Sequence, residues 1–171
     1  MRFTDVLDRL AAEMKIIFLD IDGVIKTKSC LRSAFKKYRK LVPDILDERA
    51  VNNLNKLVKE TDTKIVITST WRYGKTAEDL QRLLAKHGLT GEIIGMTPEL
   101  GQMKNSSFGN ITRGQEIQEW LKLHNVSVEY VILDDDTNIL PEQISRFVRC
   151  DSENGFADEN KYREALVILH C

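Results

Sequence analysis

The sequence predicts an α/β fold in which helices cover both faces of a doubly wound parallel sheet. Short apolar runs of strand length alternate with helical patterns along the chain, and this alternation is typical of parallel sheets. The first such run, Ile16–Leu19, has no polar residue, as expected for a strand that is buried on both faces. A length of 171 residues with 42% hydrophobic content suits one domain with a sizeable core. We therefore expect a single three-layer domain over residues 1–171.

Five strands are predicted from apolar and β-branched runs. They cover residues 15–21, 64–68, 91–96 and 128–133, and Phe147-Val148 is the core of the last strand. The carboxyl ends of parallel strands meet at one edge of the sheet, where open α/β sheets bind their ligands.

Six helices are predicted from helical spacing of apolar residues and from capping signals. They lie at 3–14, within 26–42, at about 47–60, from 76 to 87, from 112 and from 158. Thr112 and Gln115 have the spacing of a capping box, and Gly88 stands where a helix C-terminal glycine belongs. The first helix would form an extension, residues 1–14, to a catalytic core over residues 15–171.

Composition excludes several classes of protein. The net charge of −1 gives no overall attraction to nucleic acid or membranes. No apolar run approaches the length of a membrane span, and the first 14 residues do not resemble a signal peptide. Three widely spaced cysteines form neither a metal pair nor an even disulfide set, so we expect a reducing, cytoplasmic environment.

Carboxylates follow two of the predicted strands directly. Asp20 and Asp22 end the first strand and can both reach one point beyond it, while Asp134-Asp135-Asp136 follow the fourth. Carboxylates this close repel one another unless a cation or a proton joins them, and hard divalent metals prefer oxygen ligands. The pattern predicts a metal site, although aspartates that cap a turn would explain Asp20 and Asp22 alone.

Two further signals suit a phosphate group. Hydroxyl side chains of Thr68, Ser69 and Thr70 follow the second strand and, with the backbone N–H groups of the turn, could hold phosphate oxygens. Arg113 opens a capped helix, where its charge adds to the positive helix terminus. A turn-capping hydroxyl and an exposed surface arginine are the simpler explanations of each residue alone.

Together, the motifs Asp20-Ile21-Asp22-Gly23-Val24, Ser69, Arg113 and Asp134-Asp135 resemble those of the haloacid dehalogenase (HAD) superfamily of phosphotransferases. Their order agrees with that family across residues 15–150. The segment Ile67–Arg72 and the pattern from Arg113 to Leu121 look like the small phosphatase domains of RNA-repair proteins. The phosphatase domain of polynucleotide kinase-phosphatase is a more distant relative.

The resemblance implies a Rossmann-like, HAD-like sheet without a large cap domain, and a role for each motif residue. Asp20 would be the nucleophile that forms an aspartyl-phosphate, and Asp22 the general acid and base. Ser69 would bind a phosphoryl oxygen, and Arg113 would neutralise charge. The implied Mg²⁺ ligands are Asp20, the backbone carbonyl of Asp22, and Asp135, with Asp134 orienting them.

Some assignments stay open at this point. Lys104 and Lys122 are alternatives to Arg113 as the cation of the third motif, and Thr68 is an alternative to Ser69 in the second. Because Asp136 is also an acid, the acids of the fourth motif could lie one residue later in the sequence. The predicted activity is a Mg²⁺-dependent phosphomonoesterase. The alternatives are a phosphatase of a small metabolite and a non-catalytic, receiver-like phosphate-binding module. A receiver's acceptor aspartate is missing, because the third strand ends in Gly95-Met96.

The stretch Lys26–Lys40 predicts the class of substrate. It holds seven cations and no acid within fifteen residues, beside Asp20 and Asp22. A basic face next to an uncapped phosphatase site suits an RNA or DNA end; a solvated basic helix beside a site for a small phosphomonoester is the simpler explanation. Thr70, Trp71 and Arg72 are predicted to bind the terminal nucleotide by stacking and contact, and core packing is the other explanation of Trp71.

Overall fold

The computed structural model describes residues 14–102, 111–124 and 128–170. Within these residues, five parallel strands form one sheet in the order β3-β2-β1-β4-β5. They are β1 Lys15–Leu19, β2 Lys64–Ile67, β3 Ile93–Met96, β4 Glu129–Asp134 and β5 Phe147–Arg149. The chain runs outward from β1 to one side and then to the other, so the sheet is doubly wound and the predicted fold class is confirmed.

Helices cover both faces of the sheet, which makes three layers. They are α1 Lys28–Tyr38, α2 Glu48–Thr61, α3 Ala77–Ala85, α4 Arg113–Leu123 and α5 Glu159–His170. Ile17 and Leu19 of β1 pack in the core with α2, α3 and α5. Ile16 and Phe18 point to the other face, which α4 covers, as the alternation of side chains along a strand requires.

Aromatic packing fixes α4 on the sheet. The Phe18 ring meets the Trp120 ring edge-to-face, with centroids 5.5 Å apart, and Trp120 is buried. Thr112 and Gln115 form the predicted capping box at the start of the helix. The helix is therefore held at both ends, and its first residue, Arg113, lies near the carboxyl edge of the sheet.

The chain after β1 folds into two helices that begin side by side. Thr27 caps α1 and Asp47 caps α2, and the Thr27 hydroxyl donates to Asp47 Oδ2 over 2.7 Å. Among the described residues, neither the segment after β1 nor the one between β2 and α4 forms a large cap domain, as predicted. No described helix is long and apolar enough to cross a membrane. The predicted helix at 3–14 falls almost wholly outside the described residues.

Candidate active site

Three carboxylates meet at the carboxyl edge of the sheet. Asp20 follows β1 and Asp134 ends β4, and these strands are neighbours. With Asp135 they form a group that we call the acidic triad, in which each residue offers an oxygen within 4.8 Å of the others. Asp20 is 6% exposed and Asp134 is 1% exposed, so both carboxylates are largely removed from water.

The electrostatics of the acidic triad favour a cation. Burial, together with the charge of Asp20, raises the pKa of Asp134 to about 7, although Arg113 opposes this. Burial also raises the pKa of Asp20, against the effect of Arg113 and of the neighbouring Ser69 hydroxyl. Asp134 Oδ2 is buried and, apart from its ion-pair contact with Arg113, accepts no hydrogen bond from the described residues. A cluster of buried carboxylates with so few donors fits a hard divalent metal such as Mg²⁺.

Gly23 makes room for the third acid. Its φ of +78° lies in the region that glycine adopts without strain. A Cβ atom at this position would overlap the carboxylate of Asp135. The glycine of the first motif is therefore required both by the turn and by the approach of Asp135.

Arg113 lies against two members of the acidic triad. Its Nη2 is 3.7 Å from Asp20 Oδ1 and its Nε is 3.2 Å from Asp134 Oδ2. Lys122, the alternative for the third motif, is exposed in the last turn of α4, and Lys104 lies outside the described residues. Asp136 is exposed and lies outside the triad; its backbone N–H donates to Asp134 Oδ1 over 2.9 Å.

The side chain of Asp22 is bound separately from the acidic triad. Its Oδ2 accepts a 2.8 Å hydrogen bond from Trp71 Nε1, and its Oδ1 is 3.3 Å from Lys26 Nζ. Lys26 also lies over the Trp71 ring, 4.9 Å from its centroid. The Asp22 side chain is 54% exposed. It is therefore placed to exchange protons at the open side of the site, and only its backbone carbonyl remains a candidate metal ligand.

The predicted contact of Arg72 with substrate is wrong. Arg72 is 1% exposed, and its Nη2 donates to Glu116 of α4 over 2.7 Å. Its other bonds go to backbone carbonyl oxygens, those of Thr68, Ser69, Thr97 and Pro98. A guanidinium whose donors are all used inside the protein has none left for a ligand. Arg72 instead ties the turn after β2 to the helix that carries Arg113.

Arg72 also sets the direction of two peptide groups. It binds the carbonyls of Thr68 and Ser69, and the peptide bonds here are trans. In a planar trans peptide the N–H points away from the carbonyl, so the N–H groups of Ser69 and Thr70 point away from Arg72. Neither N–H donates to another backbone group within the described ranges. These two neighbouring N–H groups are therefore available to donate hydrogen bonds to an anion.

Ser69 and Thr68 differ in their surroundings. The Ser69 hydroxyl lies beside Asp20 and also accepts from Trp71 N over 3.4 Å. The Thr68 hydroxyl is buried and has no hydrogen-bond partner among the described residues. Ser69 therefore remains the preferred candidate for the second motif, with Thr70 exposed next to it.

The sequence analysis includes Lys26 in the basic stretch but does not predict its contact with Asp22, and it gives no role to Glu116. The four residues from Asp22 to Lys26 form a turn before α1, so no helical spacing indicates that contact. Glu116 is three residues after Arg113 in the predicted helix, which places both side chains on one face. Its burial beside two arginines, Arg72 and Arg113, depends on contacts between distant segments.

The comparisons with known proteins agree with this geometry. A family model described as "HAD domain in Swiss Army Knife RNA repair proteins" matches residues 16–161, a range that includes the acidic triad, Ser69 and Arg113. No curated protein and no solved structure matches the chain significantly.

Proposed function

Because the chain belongs to the family of HAD domains found in Swiss Army Knife RNA repair proteins, we propose that it is a Mg²⁺-dependent phosphomonoesterase that removes phosphate from nucleic-acid ends. The observation that carries this proposal is the acidic triad with Arg113 against it. A carboxylate nucleophile, a cation site and an arginine at one point are the parts that phosphoryl transfer needs.

Asp20, Asp135 and the backbone carbonyl of Asp22 would hold the metal, with Asp134 orienting the group. When bound, Mg²⁺ would offset the negative charge of these carboxylates and of the phosphoryl oxygens. Arg113 is fixed by α4 and supplies positive charge to the nucleophile and the phosphoryl group. The N–H groups of Ser69 and Thr70 and the Ser69 hydroxyl bind the remaining phosphoryl oxygens.

The chain's own carboxylates carry the two chemical steps. A carboxylate oxygen of Asp20 attacks phosphorus, forms the aspartyl-phosphate bond and breaks the bond to the leaving oxygen, which takes a proton from Asp22. Asp22 then accepts a proton from water as that water attacks phosphorus, which releases inorganic phosphate and restores Asp20. Trp71 and Lys26 hold the Asp22 carboxyl group in place for both transfers.

Two features support a nucleic-acid end as the substrate. The family is that of RNA repair proteins. The basic stretch Lys26–Lys40 also begins at the site, because Lys26 lies beside Asp22 and the charge of Lys28 acts on Asp135. A phosphodiester strand whose end enters the site would pass these cations.

A substrate panel tests the proposal. We expect hydrolysis of 3′- or 5′-phosphorylated oligonucleotides with Mg²⁺, more efficient than hydrolysis of the matching mononucleotide or of a sugar phosphate, and none in EDTA.

The higher efficiency on oligonucleotides than on mononucleotides should shrink as the salt concentration rises, and also when Lys36, Lys37 and Lys40 are changed to glutamine. Each neutralised phosphate contributes about −0.7 to the log–log salt slope of a single strand, so the triple variant should flatten the slope by about 2. Equal efficiency on sugar phosphates, insensitive to salt, would favour a small-metabolite phosphatase. Binding of phosphate without any turnover would favour a non-catalytic module.

A further inference from the structure

We propose that the outer face of the C-terminal half of α1 binds the unpaired nucleotides next to the phosphorylated end, with Phe35 and Tyr38 stacking on bases. This proposal rests on the proposed function and extends it to a specific surface. The occupant is a single-stranded oligonucleotide whose end phosphate lies at the acidic triad.

The two aromatic rings are unusually exposed for residues at helical spacing. Phe35 and Tyr38 are each 49% exposed, and Leu41 just beyond the helix is 81% exposed. They are three residues apart and therefore lie on one face of the helix. An amphipathic helix normally buries such residues, yet Ala34 is the only fully buried residue of α1. Within the part of the chain that the structure describes, these rings remain open to a ligand.

Contacts at the other end of α1 hold the helix in place without these rings. The N–H groups of Lys28 and Ser29 donate to the carbonyls of Ser152 and Glu153 over 2.9 and 3.1 Å. Arg32 forms a bidentate ion pair with Glu153. The N-terminal half is thus fastened to the domain, and the C-terminal half presents its rings from a fixed position.

The charges around the rings indicate the chemistry of the occupant. Lys36, Lys37, Arg39 and Lys40 form no ion pair with any carboxylate within residues 14–102, 111–124 and 128–170. Lys37 Nζ lies 5.1 Å from the centre of the Tyr38 ring. Cations for phosphates, interleaved with rings for bases, are how proteins bind single-stranded nucleic acid.

The position of α1 connects this surface to the active site. The helix begins next to Asp22 and Asp135, where Lys26 and Lys28 lie. Tyr38 is ten residues after Lys28, so its ring is about 15 Å further along the helix axis. Stacked nucleotides advance about 3.4 Å each, so a strand reaches both rings at roughly four nucleotides from its end.

This distance gives a test by substrate length. The probes are oligonucleotides of two to eight unpaired nucleotides that carry the hydrolysed end phosphate and a fluorescent label at the other end. For the wild-type protein, kcat/KM with Mg²⁺ should rise up to about four or five nucleotides and then level off. The affinity of the Asp20→Asn protein, measured by fluorescence anisotropy, should follow the same curve.

Matched variants assign the effect to the rings. Phe35→Leu with Tyr38→Leu keeps apolar surface but removes stacking, and should lower the affinity for six-nucleotide probes at least about fivefold per ring. Phe35→Tyr with Tyr38→Phe keeps both rings and should bind like wild type. Leu123→Ala, at an exposed apolar residue of α4 (66% exposed), is the control for changes in surface hydrophobicity.

Failure of this inference is distinguishable from failure of the proposed function. Hydrolysis of end phosphates with no dependence on length, or equal affinity of the leucine and wild-type proteins, would overturn the surface and leave the activity standing. Absence of hydrolysis with every probe would overturn the proposed function. Length-dependent anisotropy in that case would still support the surface as a site for single strands.

Discussion

Changing Arg72 to methionine tests whether this buried arginine builds the phosphate site. The substitution keeps an unbranched side chain of similar length but removes every donor of the guanidinium. Glu116, 8% exposed, would lose its partner at 2.7 Å, and the carbonyls of Thr68 and Ser69 would lose the group that orients them.

The expected loss of stability is large. Removing one partner of a buried ion pair costs about 3–5 kcal/mol, out of a total that is typically about 5–15 kcal/mol. Burial already raises the pKa of Glu116 above its usual value, against the effect of Arg72, and loss of Arg72 would raise it further. A carboxyl group whose pKa is raised in the folded state contributes stability at low pH that is lost as pH rises. The difference between variant and wild type should therefore be smallest near pH 4 and grow toward pH 8.

Urea unfolding and steady-state kinetics separate the two roles of Arg72. Adding Glu116→Leu to Arg72→Met removes the unpaired carboxylate and should recover most of the lost free energy of unfolding. The double variant should still hydrolyse end phosphates poorly, because the N–H groups of Ser69 and Thr70 are no longer held toward the anion. Arg72→Lys should recover part of the stability and little activity, since one ammonium cannot reach the same set of carbonyls. Wild-type kcat/KM in the folded double variant would refute this role of Arg72.

Three further predictions concern the acids. Asp20→Asn should abolish turnover without lowering the melting temperature, because it removes both the nucleophile and one repelling charge; wild-type initial rates would show that another residue attacks. Trp71→Phe removes the hydrogen bond to Asp22 but keeps a ring, so kcat should fall about tenfold with little change in KM, and an unchanged kcat would show that Trp71 does not position Asp22. The pKa of Asp134 is raised from 3.8 to about 7, so its contribution to the stability of metal-free protein is present below about pH 4 and lost as pH rises toward 7. In EDTA, the free energy of unfolding of the wild-type protein should fall as the pH rises from about 4 toward 7. Added Mg²⁺ should restore it at pH 8, and Asp134→Asn should make it less dependent on pH. A wild-type free energy of unfolding that does not change with pH would argue against the buried charge.

The elements that the sequence predicts well are those with local signals. Ile16–Leu19 is apolar throughout and forms a strand buried on both faces. Thr112 and Gln115 form the capping box that their spacing indicates. Asp20 and Asp134-Asp135 directly follow buried strands, and parallel strands bring such residues to one edge. The meeting of these three carboxylates can therefore be predicted from the positions of the strand ends and the parallel direction of the strands.

Features that depend on distant contacts could not be predicted in the same way. Arg72 looks like a surface cation in the sequence, but it is buried because Glu116, 44 residues later, pairs with it. Phe35 and Tyr38 have the spacing of a packed helical face, yet no described element covers them. In each case the environment is set by the packing of other segments, and helical spacing alone carries no information about it.

The most direct test of the proposed mechanism is the site of covalent phosphorylation. The wild-type protein and the Asp22→Asn protein, in which formation and hydrolysis of the intermediate are both slowed, would each be mixed with Mg²⁺ and an excess of an end-phosphorylated oligonucleotide. Samples would be quenched at a series of times and reduced with borohydride, which converts an aspartyl-phosphate to homoserine. Peptide mass spectrometry then locates the modified residue, with unmixed protein as the control. The proposed mechanism predicts homoserine at position 20 and at no other aspartate. Homoserine at another position, or none while the wild-type protein hydrolyses the same substrate, would contradict it.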